Sequence, residues 1–219
     1  MVTIDYKKTQ KDLYQPKTTP SVIDVPEMLF LMVDGKGDPN TSADYANALE
    51  VLYGLSYSIK MSKMGGNQPS GYFDYVVPPL EGLWSLDDGG VFTGAGAAIA
   101  DKNRFIWTSM IRQPEFVTPE VFVAAKAALC KKKPQLDLSL VRLERYTEGL
   151  CAQVMHIGPY DDEPATIAVL AEFIADNGYR EDMSSSRRHH EIYLGDPRRT
   201  APEKLKTVIR HPIRPNGGK

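Results

Sequence analysis

The 219 residues are 42% hydrophobic and 25% charged, enough for one sizeable core or two small ones, with no disorder signature. A formal charge of −2 argues against a phosphate-tracking surface, because nucleic-acid binding rests on clustered Lys and Arg; Lys131-Lys132-Lys133 and Arg198-Arg199 read as solvated helix ends and turns. No apolar signal core opens the chain and no segment approaches membrane-span length, so a cytoplasmic protein without a membrane partner is expected.

Residues 1–25 are polar, carry Pro16 and Pro20, and read as an arm, too short for a helix-turn-helix domain. Met28-Leu29-Phe30-Leu31-Met32-Val33 then runs into Asp34-Gly35-Lys36-Gly37, a strand closed by a turn. Thr41 or Ser42 can cap a helix in which Tyr45, Leu49, Leu52, Leu55 or Ser56, and Ile59 keep helical spacing up to Met64-Gly65-Gly66-Asn67. Short strands are expected around Tyr72 to Val77 and Glu81 to Leu86. A loop with Gly94, Gly96, Ala97 and Ala98 lacks the lysine and helix start of a phosphate-binding loop. It leads to a strand over Phe105 to Ile111. Thr118-Pro119-Glu120 supplies a capping hydroxyl, a first-position proline and a first-turn acid for a helix with Phe122, Ala125, Leu129 and Cys130, ending near Lys133-Pro134. Strands at Leu138 to Tyr146 and Leu150 to Ile157 follow. The next helix carries Thr166, Val169, Leu170, Phe173 and Ile174 on one face and stops at Asn177-Gly178. His190 to Leu194 and Leu205 to Pro212 give the last strands. Cys130 and Cys151, without CxxC spacing, are expected as buried reduced thiols.

Three short matches recur in the same order in the two halves. Met32-Val33-Asp34-Gly35 lines up with Met155-His156-Ile157-Gly158, Leu83-Trp84-Ser85-Leu86-Asp87 with Ile192-Tyr193-Leu194-Gly195-Asp196, and Ile111-Arg112-Gln113-Pro114 with Ile209-Arg210-His211-Pro212. A duplicated strand-helix-strand-strand unit explains them, with an extra loop around Gly89 to Asn103 in the first copy. Pairing about a pseudo-twofold axis would set Trp84 and Tyr193 on opposite walls of a groove. Glu191 and Tyr193, two apart on a strand, share a face and would project into it, while Gly82, aligned with Glu191, would leave room for a ligand. Two aromatic faces can hold a planar molecule, and a carboxylate in the cleft can neutralise a cation or act as a base.

The duplicated plan, with His156-Ile157-Gly158-Pro159-Tyr160, His190-Glu191-Ile192-Tyr193-Leu194-Gly195-Asp196-Pro197 and Lys206-Thr207-Val208-Ile209-Arg210-His211-Pro212-Ile213, resembles the GyrI-like small-molecule-binding family over about residues 25–214. The resemblance implies an α+β fold of two pseudo-twofold-related βαββ (SH2-like) repeats, about 26–134 and 135–214, whose antiparallel sheets flank a central ligand groove, followed by a tail at 215–219. It implies Glu191 and Tyr193 as catalytic residues and Trp84 as a ligand-binding one. It also implies a stand-alone branch that hydrolyses strained cyclopropanes in DNA-alkylating natural products, with a planar aromatic or electrophilic small molecule as partner and no direct nucleic-acid binding. A non-catalytic drug-sequestering binder and a protein-interaction module like the gyrase inhibitor are the alternatives.

Other residues carry two readings each. Trp107 either lines the groove from the neighbouring strand or fills the core. Tyr160 reaches the groove mouth or lies on the surface of its turn, and Tyr72 and Tyr75 depend on strand phase. His156 reads as a satisfied structural histidine. His189 and His190 point to opposite strand faces and cannot chelate one ion, and with neither HExxH nor a cysteine cluster no metal and no cofactor are expected.

Overall fold

The structure, a computed structural model, describes residues 3–65, 68–88 and 101–217; the Gly94 to Ala98 segment lies outside them. Two short helical turns, α1 (Tyr6–Thr9) and α2 (Lys11–Tyr14), precede strand β1 (Ser21–Lys36), helix α3 (Ala43–Lys60), and strands β2 (Leu80–Leu86) and β3 (Phe105–Gln113). Helix α4 (Pro119–Lys132) connects to β4 (Arg142–Ile157), α5 (Glu163–Asp176), the short β5 (Tyr179–Glu181), β6 (His189–Tyr193) and β7 (Lys206–Pro215). Local chemistry sets the helix starts. Ser42 accepts from the Tyr45 amide and Thr118 from the Val121 amide, each satisfying a donor left free at a helix N-terminus.

The strands pair antiparallel in the order β4-β1-β3-β2-β6-β7, and β7 returns to β4, so the sheet closes on itself like a barrel. The element order strand, helix, strand, strand occurs once in β1-α3-β2-β3 and again in β4-α5-β6-β7, with β5 added beside β7. Alternation along the strands sends one set of side chains inward and the other out. Inside lie Phe30, Met32, Leu83, Met110, Cys151, Ile192 and Val208. Outside, α3 covers Leu31, Val33, Trp107 and Ile111 with α4 packed on α3, while α5 covers Ala152, Val154 and Ile209. The seam between these two outer layers runs over the β2–β6 pair, where Gly82 faces Glu191 and Trp84 faces His189.

Several expected elements differ. The first 25 residues are not a free arm: Tyr6, Leu13 and Tyr14 are buried against the inner core. The Gln153 side chain donates to the Asp12 carbonyl and the Arg210 guanidinium to the Leu13 carbonyl, tying α2 across one end of the closed sheet. Strand β1 starts at Ser21 because Ser21 to Val25 pair with Gly149 to Gln153. The two strands expected between 138 and 157 are a single one, in which Gly149 (φ +72°) is a kink opposite Val25 rather than a turn. Tyr72 to Val77 forms only one bridge, Tyr75 to Ile4. Cys151 is buried as expected, but Cys130 is exposed on α4.

Candidate functional site

On the outer face at the seam, Glu191 sits at the centre of a hydrogen-bonded chain. Tyr193 donates its hydroxyl to Glu191 Oε2 at 2.6 Å and in turn accepts from Trp84 Nε1 at 3.0 Å. His189 Nε2 lies 2.8 Å from Glu191 Oε1. The period of the strand produces this set, since His189, Glu191 and Tyr193 are alternate residues of β6.

Glu163, the first residue of α5, is buried against the same carboxylate. Burial, and then the negative charge of Glu191, hold the Glu163 carboxyl well above the ordinary carboxylate range. Burial also works against the charge on Glu191, but the His189 hydrogen bond and charge, with the Tyr193 and Glu163 hydrogen bonds, outweigh it and hold Glu191 low. Two carboxyls in one buried site are thus pushed apart, Glu163 upward and Glu191 downward, so that Glu163 holds a proton the more tightly of the two and Glu191 is the better anion. The Tyr193 phenol, pushed well up by burial and the Glu191 charge, stays a donor.

Aromatic rings surround this centre. Tyr160 meets Tyr193 edge-on at 5.8 Å between centroids and keeps 37% of its surface exposed, so it stands at the solvent edge of the cluster. Tyr45, from α3, touches both Trp84 (6.1 Å) and Trp107 (5.0 Å). Trp84 and Tyr193 are in mutual contact rather than facing each other across a gap. Gly82 has a different use from the one expected: a Cβ there would stand 2.6 Å from Trp84 Nε1 and 3.2 Å from the Tyr193 hydroxyl, so the missing side chain makes room for their hydrogen bond.

Of the residues singled out in the sequence, Glu191, Tyr193, Trp84, Gly82 and Tyr160 come together. Trp107 does not reach Glu191; it is 1% exposed, its six-membered ring lies over Gly35, and it borders a separate cavity of about 370 Å³ lined by Val33, Asp34, Asp44 and Leu140 among others. Tyr72 lies elsewhere, packed on Phe116 with its hydroxyl on the Lys60 carbonyl. His156 bonds Thr166 Oγ1 and the Pro159 carbonyl, which makes it the structural histidine anticipated. Sequence reasoning missed Tyr45, Glu163, His189 as a partner of Glu191, and the His211 behind it. An acid in a first helical turn reads as a complement to the helix dipole, and only the strand alternation pointed to His189.

The GyrI-like small molecule binding domain matches residues 18–214. The chain belongs to this family. The GyrI-like chain is 47% identical to a hydrolase from Listeria innocua of known crystal structure, with a TM-score of 0.87, covering 97% of this chain and 100% of that one. An uncharacterized conserved protein from Listeria innocua is 48% identical with a TM-score of 0.89 over the same shares. The EcmrR C-terminal domain, 12% identical with a TM-score of 0.52 over 90% of this chain and 98% of that one, shares the fold. No curated protein matches the chain. No described helix is long and apolar enough to cross a membrane.

Proposed function

We propose that this GyrI-like protein hydrolyses strained cyclopropane rings in planar, electrophilic small molecules, with Glu191 as the base and Tyr193 as its partner. The observation that carries the reading is an ionised, buried Glu191 whose two oxygens are oriented by separate donors, beside Trp84 and Tyr160. The hydrolase name of a relative 47% identical over nearly the whole chain supports the reaction class. The twice-repeated strand-helix-strand-strand order supports descent from a duplicated, SH2-like unit whose seam forms the groove.

In a spirocyclopropyl dienone, water attacks the exposed ring methylene. A C–O bond forms, the ring C–C bond breaks, and its electron pair enters the dienone to give a phenolate. Glu191 takes the proton from the attacking water, a general-base contribution of about 10²–10⁴-fold. The phenolate takes a proton from solvent, so the net change is addition of one water. Tyr193 and His189 hold the carboxylate in one plane, and Trp84, Tyr160 and Tyr45 hold the flat ring system near it.

A second reading, a binder without turnover, draws on the same low Glu191 pKa, since an anion that stays ionised also pairs with a cationic drug. The test incubates purified protein with a spirocyclopropyl alkylator and follows loss of the dienone absorbance. Catalytic loss in the parent that collapses in Glu191→Gln supports hydrolysis; stoichiometric binding without consumption refutes it in favour of sequestration. Indifference to the compound refutes both and favours a protein-interaction module.

A further inference from the structure

Behind Glu191 the hydrogen bonds continue through the protein to its surface. His189 Nε2 meets Glu191 Oε1 at 2.8 Å, His189 Nδ1 meets His211 Nε2 at 2.7 Å, and His211 Nδ1 meets Glu181 Oε1 at 2.8 Å. Both histidine side chains have no exposed surface, whereas Glu181, on the short strand β5, keeps 24% of its side chain exposed. The chain thus has one end in the candidate site and the other at solvent.

Counting protons shows what such an arrangement holds. Four groups share three hydrogen bonds, and every bond needs one proton. Two neutral imidazoles bring one each. The three bonds are complete only when a third proton is present, on an imidazole as imidazolium or on one of the carboxyls. Two neutral rings in matching tautomers fill the 2.7 Å bond between the histidines but leave one of the two outer bonds with lone pairs facing each other, so a third proton completes the chain.

We propose that His189 and His211 relay protons between Glu191 and Glu181, clearing from the base the proton it takes from water. The proposal rests on the hydrolytic reading above and deepens it. In the transfer, protonated Glu191 gives its proton to His189 Nε2, His189 releases its Nδ1 proton to His211 Nε2, and His211 releases its Nδ1 proton to Glu181. Both imidazoles begin and end neutral, each with its N–H moved from Nδ1 to Nε2; His189 donates from Nε2 to the regenerated Glu191 carboxylate, and both N–H protons must return to Nδ1 before the next proton passes. Glu181 then loses the proton to bulk water, so one proton has entered and one has left.

Glu163 and Tyr193 face Glu191, and Glu148 adds a more distant negative charge to His211, beside its partners Glu181 and His189. Burial, with the adjacent His189, keeps the His211 ring below the ordinary histidine value against the pull of Glu181, which suits a group that must let its proton go. His189 and His211 are positioning and relaying residues, since each acts through Glu191.

Two measurements test the relay. The first needs no substrate: in protein labelled with ¹⁵N at histidine, the ring nitrogens of His189 and His211 are followed with pH by NMR. A shared proton predicts that the two rings titrate as one unit and that Glu181→Gln moves both; two independent titrations, or a change confined to His211, overturn the proposal. The second compares turnover of the alkylator by parent and Glu181→Gln. The relay predicts a kcat lowered at least several-fold with KM unchanged, and a deficit that closes as imidazole buffer is raised, while the parent ignores the buffer. A deficit insensitive to buffer, or none, overturns it. If the parent leaves the compound untouched, the hydrolytic reading falls and the relay's part in turnover with it, whereas the NMR coupling still decides whether the four groups share protons.

Discussion

Replacing His190 by leucine should destabilise the protein by about 3 kcal/mol at pH 6 and by far less at pH 9–10. His190 points into the closed sheet, where Nδ1 lies 3.0 Å from Glu148 Oε2 and Nε2 lies 3.0 Å from Glu81 Oε2. Two carboxylate partners require two N–H donors, so the ring is an imidazolium. Burial opposes that charge, but the Glu148 charge and the bonds to Glu148 and Glu81 outweigh it and raise the ring to about 9 from 6.5. The shift corresponds to roughly 3 kcal/mol, within the range of about 3–5 kcal/mol for removing one partner of a buried ion pair. In the variant Glu148 keeps Arg210 at 2.9 Å, but among the described residues Glu81 retains only the Tyr14 hydroxyl at 3.5 Å as a hydrogen-bond partner. For a chain of this size the loss amounts to about 10 °C in Tm. A raised histidine stabilises fully below its unfolded value of about 6.5, and that contribution is lost as pH rises through about 9. Thermal melts followed by circular dichroism across this window should therefore show a parent–variant gap that is widest near pH 6 and closes in alkali. A gap that is constant with pH, or a variant within about 0.5 kcal/mol of the parent at pH 6, would refute the ion-pair reasoning.

Three other outcomes follow from the site and its surroundings. Gly82→Ala forces its new methyl against Trp84 Nε1, which is held by Tyr45 and Phe105, so a loss of about 1–3 kcal/mol is expected in urea unfolding together with loss of the Trp84–Tyr193 bond; unchanged stability contradicts the close fit. Glu163 has a raised folded-state pKa, so it binds its proton more tightly folded than unfolded and costs stability as pH rises above its unfolded value near 4.5; Glu163→Gln should remove that slope and be more stable than the parent at pH 8, and an unchanged slope rules out a protonated Glu163. In native protein a thiol reagent should label Cys130 promptly and Cys151 only on unfolding, as counted by mass spectrometry; two equally fast thiols would contradict the burial of Cys151.

The sequence carried the element order well because hydrophobic period and capping chemistry are local. Ser42, Thr118-Pro119 and Asn177-Gly178 each mark a helix end that the structure contains. Period-2 alternation also placed Glu191 and Tyr193 on one face correctly. What stayed hidden depends on distant segments. Gly149 reads as a turn in isolation, yet β1 and β7 hold the chain extended on both sides of it. The N-terminal residues look polar, and only the open end of a closed sheet gives Tyr6 and Tyr14 something to cover. Tyr72 to Val77 has strand composition but no neighbouring edge to pair with beyond Ile4. Glu163, His211 and Glu181 join Glu191 from α5, β7 and β5, and no spacing along the chain records that meeting.

On the proposed mechanism a flat guest rests on Trp84 and Tyr193 with its reacting carbon near Glu191. The most direct measurement is a crystal structure of the protein with the ring-opened, hydrated product of a spirocyclopropyl alkylator. Product density is expected at the β2–β6 seam, its new hydroxyl within hydrogen-bond reach of Glu191. Density instead in the cavity beside Trp107 and Asp44, with the Glu191 face empty, would contradict it.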